Sequence, residues 1–147
     1  MPLEIRNTPF NKRLYGISKP ILEGQKPVEV MFAAMDEMWR RVRASQVPNR
    51  GINHILYSGN TSVFAGVEVD GDVPAVAGLQ PVDVHFSRYA YYRHIGPYTQ
   101  LPLAYQEIDR ELAARDLRTT ADSMEIYGHA SQDPEKQVTE ILIGLSA

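Results

Sequence analysis

The stretch Val82–Gln100, VDVHFSRYAYYRHIGPYTQ, decides the fold, because its hydrophobic period changes within it. Val82, Val84 and Phe86 alternate with Asp83, His85 and Ser87, the period-2 signature of a strand with one buried face. The strand is expected to continue through Tyr89–Ile95 and to stop at Gly96-Pro97, a turn pair. Beyond the turn, Leu101, Tyr105, Ile108 and Leu112 fall at i, i+4, i+7 and i+11, the buried stripe of an amphipathic helix. Thr99 is the expected N-cap, and Pro102 lies where helix N–H groups have no intrahelical partner. Half of the eight tyrosines (Tyr89, Tyr91, Tyr92, Tyr98) crowd this stretch beside Arg93 and His94, so it must be weighed as a site as well as a strand.

Working outward, the same order occurs upstream. Leu3–Ser18 is expected to be a strand, bent at Pro9, and KPILEGQKP interrupts it. Met31, Met35, Met38, Trp39 and Val42 then form one helical face, with Pro27 in the first turn and Pro48 past the end. INHILYSG and VFAGVEV are two short strands, consistent with a hairpin, and Asp70–Pro81 is the expected midpoint linker. Downstream, SMEIYGH and QVTEILIGL supply two more strands around ASQDPEK. An offset of 70 residues lays Met31 on Leu101, Met35 on Tyr105, Met38 on Ile108, Val42 on Leu112 and Tyr57 on Tyr127. The chain is therefore expected to be one α+β domain over residues 1–147, with half-units of roughly 1–75 and 76–147. Two strand–helix–strand–strand units would share a mostly antiparallel sheet, with the helices on one face and a cleft where the units meet.

Composition bounds the chemistry. The 147 residues suffice for one cored domain, and 44% hydrophobic with 22% charged residues is ordinary globular usage. A net charge of −3 argues against a general phosphate-binding surface, so no direct nucleic-acid contact is expected. The absence of cysteine excludes disulfides, thiolate catalysis and Cys-based zinc sites, and sits comfortably with a cytoplasmic home. No apolar run reaches the ~20 residues a membrane helix needs, and the N-terminus lacks the apolar core of a signal peptide. His54, His85, His94 and His129 are dispersed, without the helical i, i+4 spacing of a zinc pair. SGNTS is a turn and not a phosphate loop, no G-x-S-x-G elbow occurs, and His94 has no nucleophile in view. Neither metal nor cofactor is expected. Lys26, Arg40, Arg41, Arg43 and Arg50 are diluted by Glu29, Asp36 and Glu37 and are expected on the solvated helix face.

Glu140 is the candidate that stands out, a carboxylate inside VTEILIGL, the most apolar strand. Two placements are open: on a strand face turned to water, or at the floor of an apolar cavity as counter-charge for a lipophilic cation. Tyr57 and Tyr127, related by the 70-residue offset, are candidate rim hydroxyls and aromatic faces for such a cation. Trp39 is foremost a core residue on its helix, and of the clustered tyrosines Tyr91 is the candidate to reach the cleft.

These residues resemble a known family. A strand running into His94, Gly96, Pro97 and Tyr98, then a helix, then Glu125 and Tyr127, Asp133 and Pro134, and finally Thr139, Glu140 and Ile141 is similar to the pattern of the GyrI-like small-molecule-binding domain. That module forms the effector-binding part of AraC-type and multidrug-sensing regulators. The match covers roughly the C-terminal half, while the N-terminal half agrees in layout. The resemblance implies a pseudo-twofold pair of strand–helix–strand–strand units with a ligand cleft between them, and it assigns the position of Glu140 as counter-charge for cationic drugs. Two departures are visible: Glu111 replaces a tryptophan common on the second helix, putting one cleft wall in doubt, and Gly144 replaces a proline, which would loosen the last strand.

The expected function is therefore binding of amphipathic, cationic small molecules, with Glu140 as charge partner and Tyr57, Tyr91, Tyr127 and Trp39 as aromatic walls. Two alternatives stay open: hydrolysis of small electrophilic compounds at the same Glu/Tyr site, and a gyrase-inhibitor-like protein-interaction module. The length leaves no room for a separate DNA-binding domain beside this one, so a regulator or gyrase would be a partner in trans.

Overall fold

A computed structural model of the chain describes residues 3–70, 78–127 and 133–146. The strands are β1 (Glu4–Arg6), β2 (Phe10–Pro20), β3 (Asn53–Ser58), β4 (Ser62–Val67), β5 (Gln80–Phe86), β6 (Tyr89–Ile95), β7 (Thr119–Tyr127) and β8 (Val138–Leu145). The helices are α1 (Pro27–Ala44) and α2 (Leu101–Ala114). All eight strands form one antiparallel sheet in the order β1-β6-β8-β7-β3-β4-β2-β5, the expected α+β architecture.

That order is symmetric about its centre. Each half contributes a three-stranded core, β2-β4-β3 and β6-β8-β7, and the halves join where β3 pairs with β7. The first strand of each half does not stay with its own half. β1 pairs with β6, and β5 pairs with β2, so the halves exchange their leading strands. This corrects the single strand expected over Val82–Ile95, because the chain leaves one end of the sheet after Phe86 and re-enters the other at Tyr89. The alternation of side chains holds only to Ser87, and with no glycine or proline between Phe86 and Tyr89 it is long-range pairing that divides the segment into two strands. The equivalent break upstream falls at Asn7–Pro9, where proline cannot donate to a ladder. The two crossing segments touch: Arg88 Nε donates to Asn7 Oδ1 at 3.0 Å.

One face of the sheet carries both helices. α1 buries Val30, Met31, Ala34, Met38 and Val42 against Ile17, Ile55, Val63, Ala65 and Val67. α2 buries Ala104, Ile108 and Leu112 against Ala90, Ile141 and Leu145. The opposite face curls onto itself, joining Leu14, Phe64, Val84 and Phe86 of one half to Tyr89, Met124, Ile126 and Leu142 of the other. Phe10, Phe86 and Tyr89 meet there with ring centroids 6.0–6.2 Å apart. Each large apolar side chain so buried stabilises the fold by about 1.5–3 kcal/mol.

Local details refine the expectations. α1 starts with Pro27 in its first turn, and Glu37 on its outer side pairs with Arg41 at 3.2 Å and Lys19 at 3.2 Å. Thr99 does not cap α2, because a single 3-10 turn over Tyr98–Gln100 precedes the helix and places Gln100 at the cap, with Pro102 in the first turn. Gly144 does not loosen β8, which runs unbroken to Leu145. A Cβ there would lie 2.3 Å from Thr120 Oγ1 and 3.1 Å from the Asp122 carbonyl, so the glycine admits the irregular segment of β7. Of the expected linker, residues 71–77 lie outside the described residues, as do Gly128 and His129 of the seventh strand's expected end.

Candidate functional site

The helices sit over the outer strands of each half, which leaves the central pair β3 and β7 open between them. Side chains on that face come from alternate positions, and the register pairs Asn53 with Tyr127, Ile55 with Glu125, and Tyr57 with Ser123. Ile55 and Glu125 are themselves 70 residues apart, so the pseudo-twofold axis passes through this pair. A carboxylate thus stands on the axis of the domain, opposite an isoleucine.

The walls above this floor are α1 and α2. One chamber of about 710 Å³ is lined by residues that include Met31 and Tyr57 from the first half, with Lys26 at the start of α1, and Tyr98, Leu101, Tyr105, Glu125 and Tyr127 from the second. A neighbouring chamber of about 330 Å³ adds Phe32, Met35 and Asn53 and shares Val28, Met31, Tyr98, Leu101 and Tyr127 with the first. Together they form a cleft of the size and character of a small-molecule site, apolar with a few convergent polar groups. Tyr98 and Tyr127, packed edge to face at 5.3 Å, stand where the chambers join.

Glu125 is only 6% exposed. Tyr127 donates its hydroxyl to Glu125 Oε1 at 2.5 Å, and Tyr105 donates to Oε2. Burial, reinforced by the nearby Glu125 charge, pushes the phenols of Tyr57, Tyr105 and Tyr127 above the ordinary tyrosine range. They therefore stay protonated and act as donors. Among the described residues, no lysine or arginine forms an ion pair with Glu125. The arrangement is a buried carboxylate neutralised by hydrogen bonds alone, with aromatic faces around it, and it is suited to a positive charge entering from the cleft.

The structure brings Tyr57 and Tyr127 together here and does not bring Glu140 with them. Glu140 is registered opposite Arg93 on β6 and Ile126 on β7, and Ile126 belongs to the far-face cluster. A residue directly opposite shares the same face, so Glu140 points away from the helices, half-buried. Its expected placement at the cleft floor is thus corrected, and Glu125 occupies that position. Tyr91 also lies on the far face, with the Arg6 guanidinium 3.8 Å from its ring centroid. Trp39 packs in the α1 cluster and reaches the site only through its indole N–H, which donates to Asn53 Oδ1 at 2.6 Å. Glu111 pairs with Arg115 along α2 at 3.3 Å and is not among the cleft residues. Tyr105 fits the helical stripe so well that its hydroxyl passes for core. The signal that could have found Glu125 was the repeat itself, which places residues 55 and 125 at equivalent positions in adjacent strands.

No grouping of histidine, aspartate or glutamate suited to a metal ion occurs among the described residues. No described helix is long and apolar enough to cross a membrane.

No curated protein matches the sequence. Solved structures do match the fold. SAV2435, determined bound to tetraphenylphosphonium, is 13% identical with a TM-score of 0.74, over 100% of this chain and 95% of its own. The C-terminal domain of EcmrR is 16% identical with a TM-score of 0.68, over 99% of both chains. A hydrolase from Listeria innocua is 11% identical with a TM-score of 0.57, over 96% of this chain and 93% of its own. In sequence, residues 54–146 match the model of the GyrI-like small molecule binding domain, and the chain belongs to that family.

Proposed function

We propose that the protein binds amphipathic organic cations in the cleft between α1 and α2, with Glu125 as the counter-charge and Tyr57, Tyr105 and Tyr127 as its aromatic and hydrogen-bonding surround. The observation that carries this reading is the buried Glu125 carboxylate, which accepts two phenol hydrogens and has no ion-pair partner among the described residues. A bulky cation that enters the cleft meets the charge, the ring faces and an apolar wall together, and each contact is strengthened by exclusion of water. The tetraphenylphosphonium held by SAV2435 is a ligand of this kind. Service as an effector-sensing module for a regulator in trans fits the likeness to the EcmrR domain.

A hydrolytic reading has support in the Listeria innocua neighbour, but the local chemistry favours binding. A general base must be basic as well as in reach of water, and the phenol hydrogen that each Glu125 oxygen accepts stabilises the carboxylate and lowers its basicity. Tetraphenylphosphonium and neutral triphenylphosphine oxide, titrated calorimetrically into wild type, Glu125→Gln and Glu140→Gln, test the proposal. The expected result is at least tenfold weaker phosphonium binding in Glu125→Gln, with the neutral compound unchanged and Glu140→Gln resembling wild type. Equal phosphonium affinity in wild type and Glu125→Gln would overturn it.

A further inference from the structure

Asn53 lies on β3 beside the cleft, a diagonal neighbour of Glu125 across the β3–β7 pair, at roughly 7–8 Å. Its amide is not free to turn. The Trp39 indole can only donate, and it donates to Asn53 Oδ1 at 2.6 Å, which fixes the oxygen toward α1 and the nitrogen away from it. No acceptor among the described residues takes the Nδ2 hydrogens. The side chain is half-buried and lines the smaller chamber, whose other lining residues include Val28, Met31, Phe32, Met35 and Leu101. A residue with an unengaged pair of N–H donors, fixed in orientation by Trp39, therefore lines an otherwise largely apolar chamber.

We infer that Asn53 is a specificity-determining donor, set by Trp39, and that the preferred ligands are cations carrying a hydrogen-bond acceptor about 7 Å from the charge. The acceptor is a carbonyl, ether or aromatic nitrogen, placed against Asn53 while the charge rests near Glu125. An apolar chamber rewards any lipophilic group about equally. A donor within it discriminates, because a ligand that covers Nδ2 without accepting leaves a desolvated N–H unpaired. The inference rests on the cation-binding reading above and adds a second recognition point to it.

The test uses two cations of the same shape, (4-acetylbenzyl)trimethylammonium and (4-isopropylbenzyl)trimethylammonium, which differ in whether the para group accepts a hydrogen bond. Binding is measured calorimetrically with wild type, Asn53→Leu and Trp39→Phe. Wild type is expected to prefer the acetyl compound about fivefold or more. In Asn53→Leu the preference disappears, and the isopropyl compound binds as well as before or better. In Trp39→Phe the asparagine remains but its amide can flip, so the preference shrinks while the affinity for the isopropyl compound changes little. That separates a positioning role of Trp39 from a merely structural one, and it keeps the question answerable if Asn53→Leu folds poorly. Binding of both cations to wild type without preference, or a preference that survives Asn53→Leu, overturns the inference and leaves cation binding standing. Failure of both cations to bind wild type removes cation binding and this inference together.

Discussion

The two halves of the molecule share a backbone plan and divide the chemistry. On the cleft face, residues 70 apart occupy equivalent positions of the two halves: Val28 and Tyr98, Met31 and Leu101, Met35 and Tyr105, Ile55 and Glu125, Tyr57 and Tyr127. Where the pairs differ in polarity, the first half supplies the apolar member and the second half the tyrosine or the glutamate. On the far face the sense reverses. His54 and Met124 are equivalent and both fully buried, and here the first half holds the polar group. A doubled scaffold thus becomes a one-sided site without new architecture. The second half adds the carboxylate and two more tyrosines to the hydrogen-bonding groups both halves supply, and a ligand with an apolar and a cationic end is oriented by that difference.

The sharpest way to break the comparison is to remove it at the axis. Ile55→Glu would set a second carboxylate directly opposite Glu125, with Cβ atoms about 4.5–5.5 Å apart, where no lysine or arginine among the described residues pairs with Glu125. The variant is expected to lose about 4 kcal/mol of stability in urea unfolding at pH 7, because an uncompensated charge is buried against a like one. A loss below about 1 kcal/mol at pH 7 would show that the axis tolerates charge and that Glu125 is not special there.

The far face gives a smaller effect with a defined pH window. His54 Nε2 has no hydrogen-bond partner among the described residues, while its Nδ1–H points to the Ile52 carbonyl at 3.2 Å. Burial, aided by the charge of Lys12, pulls its pKa from the ordinary 6.5 down to about 4. Its folded pKa is depressed, so the unfolded chain binds the proton more tightly. The neutral ring's contribution is complete above pH ~6.5 and is lost as pH falls toward about 4. Wild type is expected to lose about 2–3 kcal/mol between pH 7 and 4.5 beyond whatever His54→Met loses, since methionine is what the second half places there. Parallel pH profiles for the two proteins would remove His54 as the cause.

Much of this layout is legible in the sequence, and the limits have physical causes. The helical stripes Met31–Val42 and Leu101–Leu112 mark their own buried faces, because burial requires that periodicity. The repeat exposes the pseudo-twofold, and with it the central position of Tyr57 and Tyr127. The strand exchange is not legible, because VDVHFSRYAYYRHI contains no glycine or proline to mark a break at Ser87-Arg88, and its partners, at opposite ends of the sheet, divide it. The choice between Glu125 and Glu140 is not legible either. A strand's two faces are chemically alike in sequence, and register alone turns Glu125 toward the helices and Glu140 away.

The smallest expected effect concerns what the second half's tyrosine adds over its methionine counterpart. Tyr105 and Met35 are equivalent, but only Tyr105 donates to Glu125. Tyr105→Met makes the two helices alike at this position and is expected to cost about 1 kcal/mol of stability, the net worth of one hydrogen bond. Its effect on recognition should be more telling. With one phenol on each oxygen, half of Glu125's acceptor sites are taken, which narrows the advantage of cations that donate over quaternary cations that cannot. Release of Oε2 gives a primary ammonium an acceptor that a quaternary cation cannot use. The affinity of benzylammonium relative to benzyltrimethylammonium should therefore rise about fivefold in Tyr105→Met. An unchanged ratio would mean that the phenols tune the stability of the carboxylate and not the kind of cation it receives.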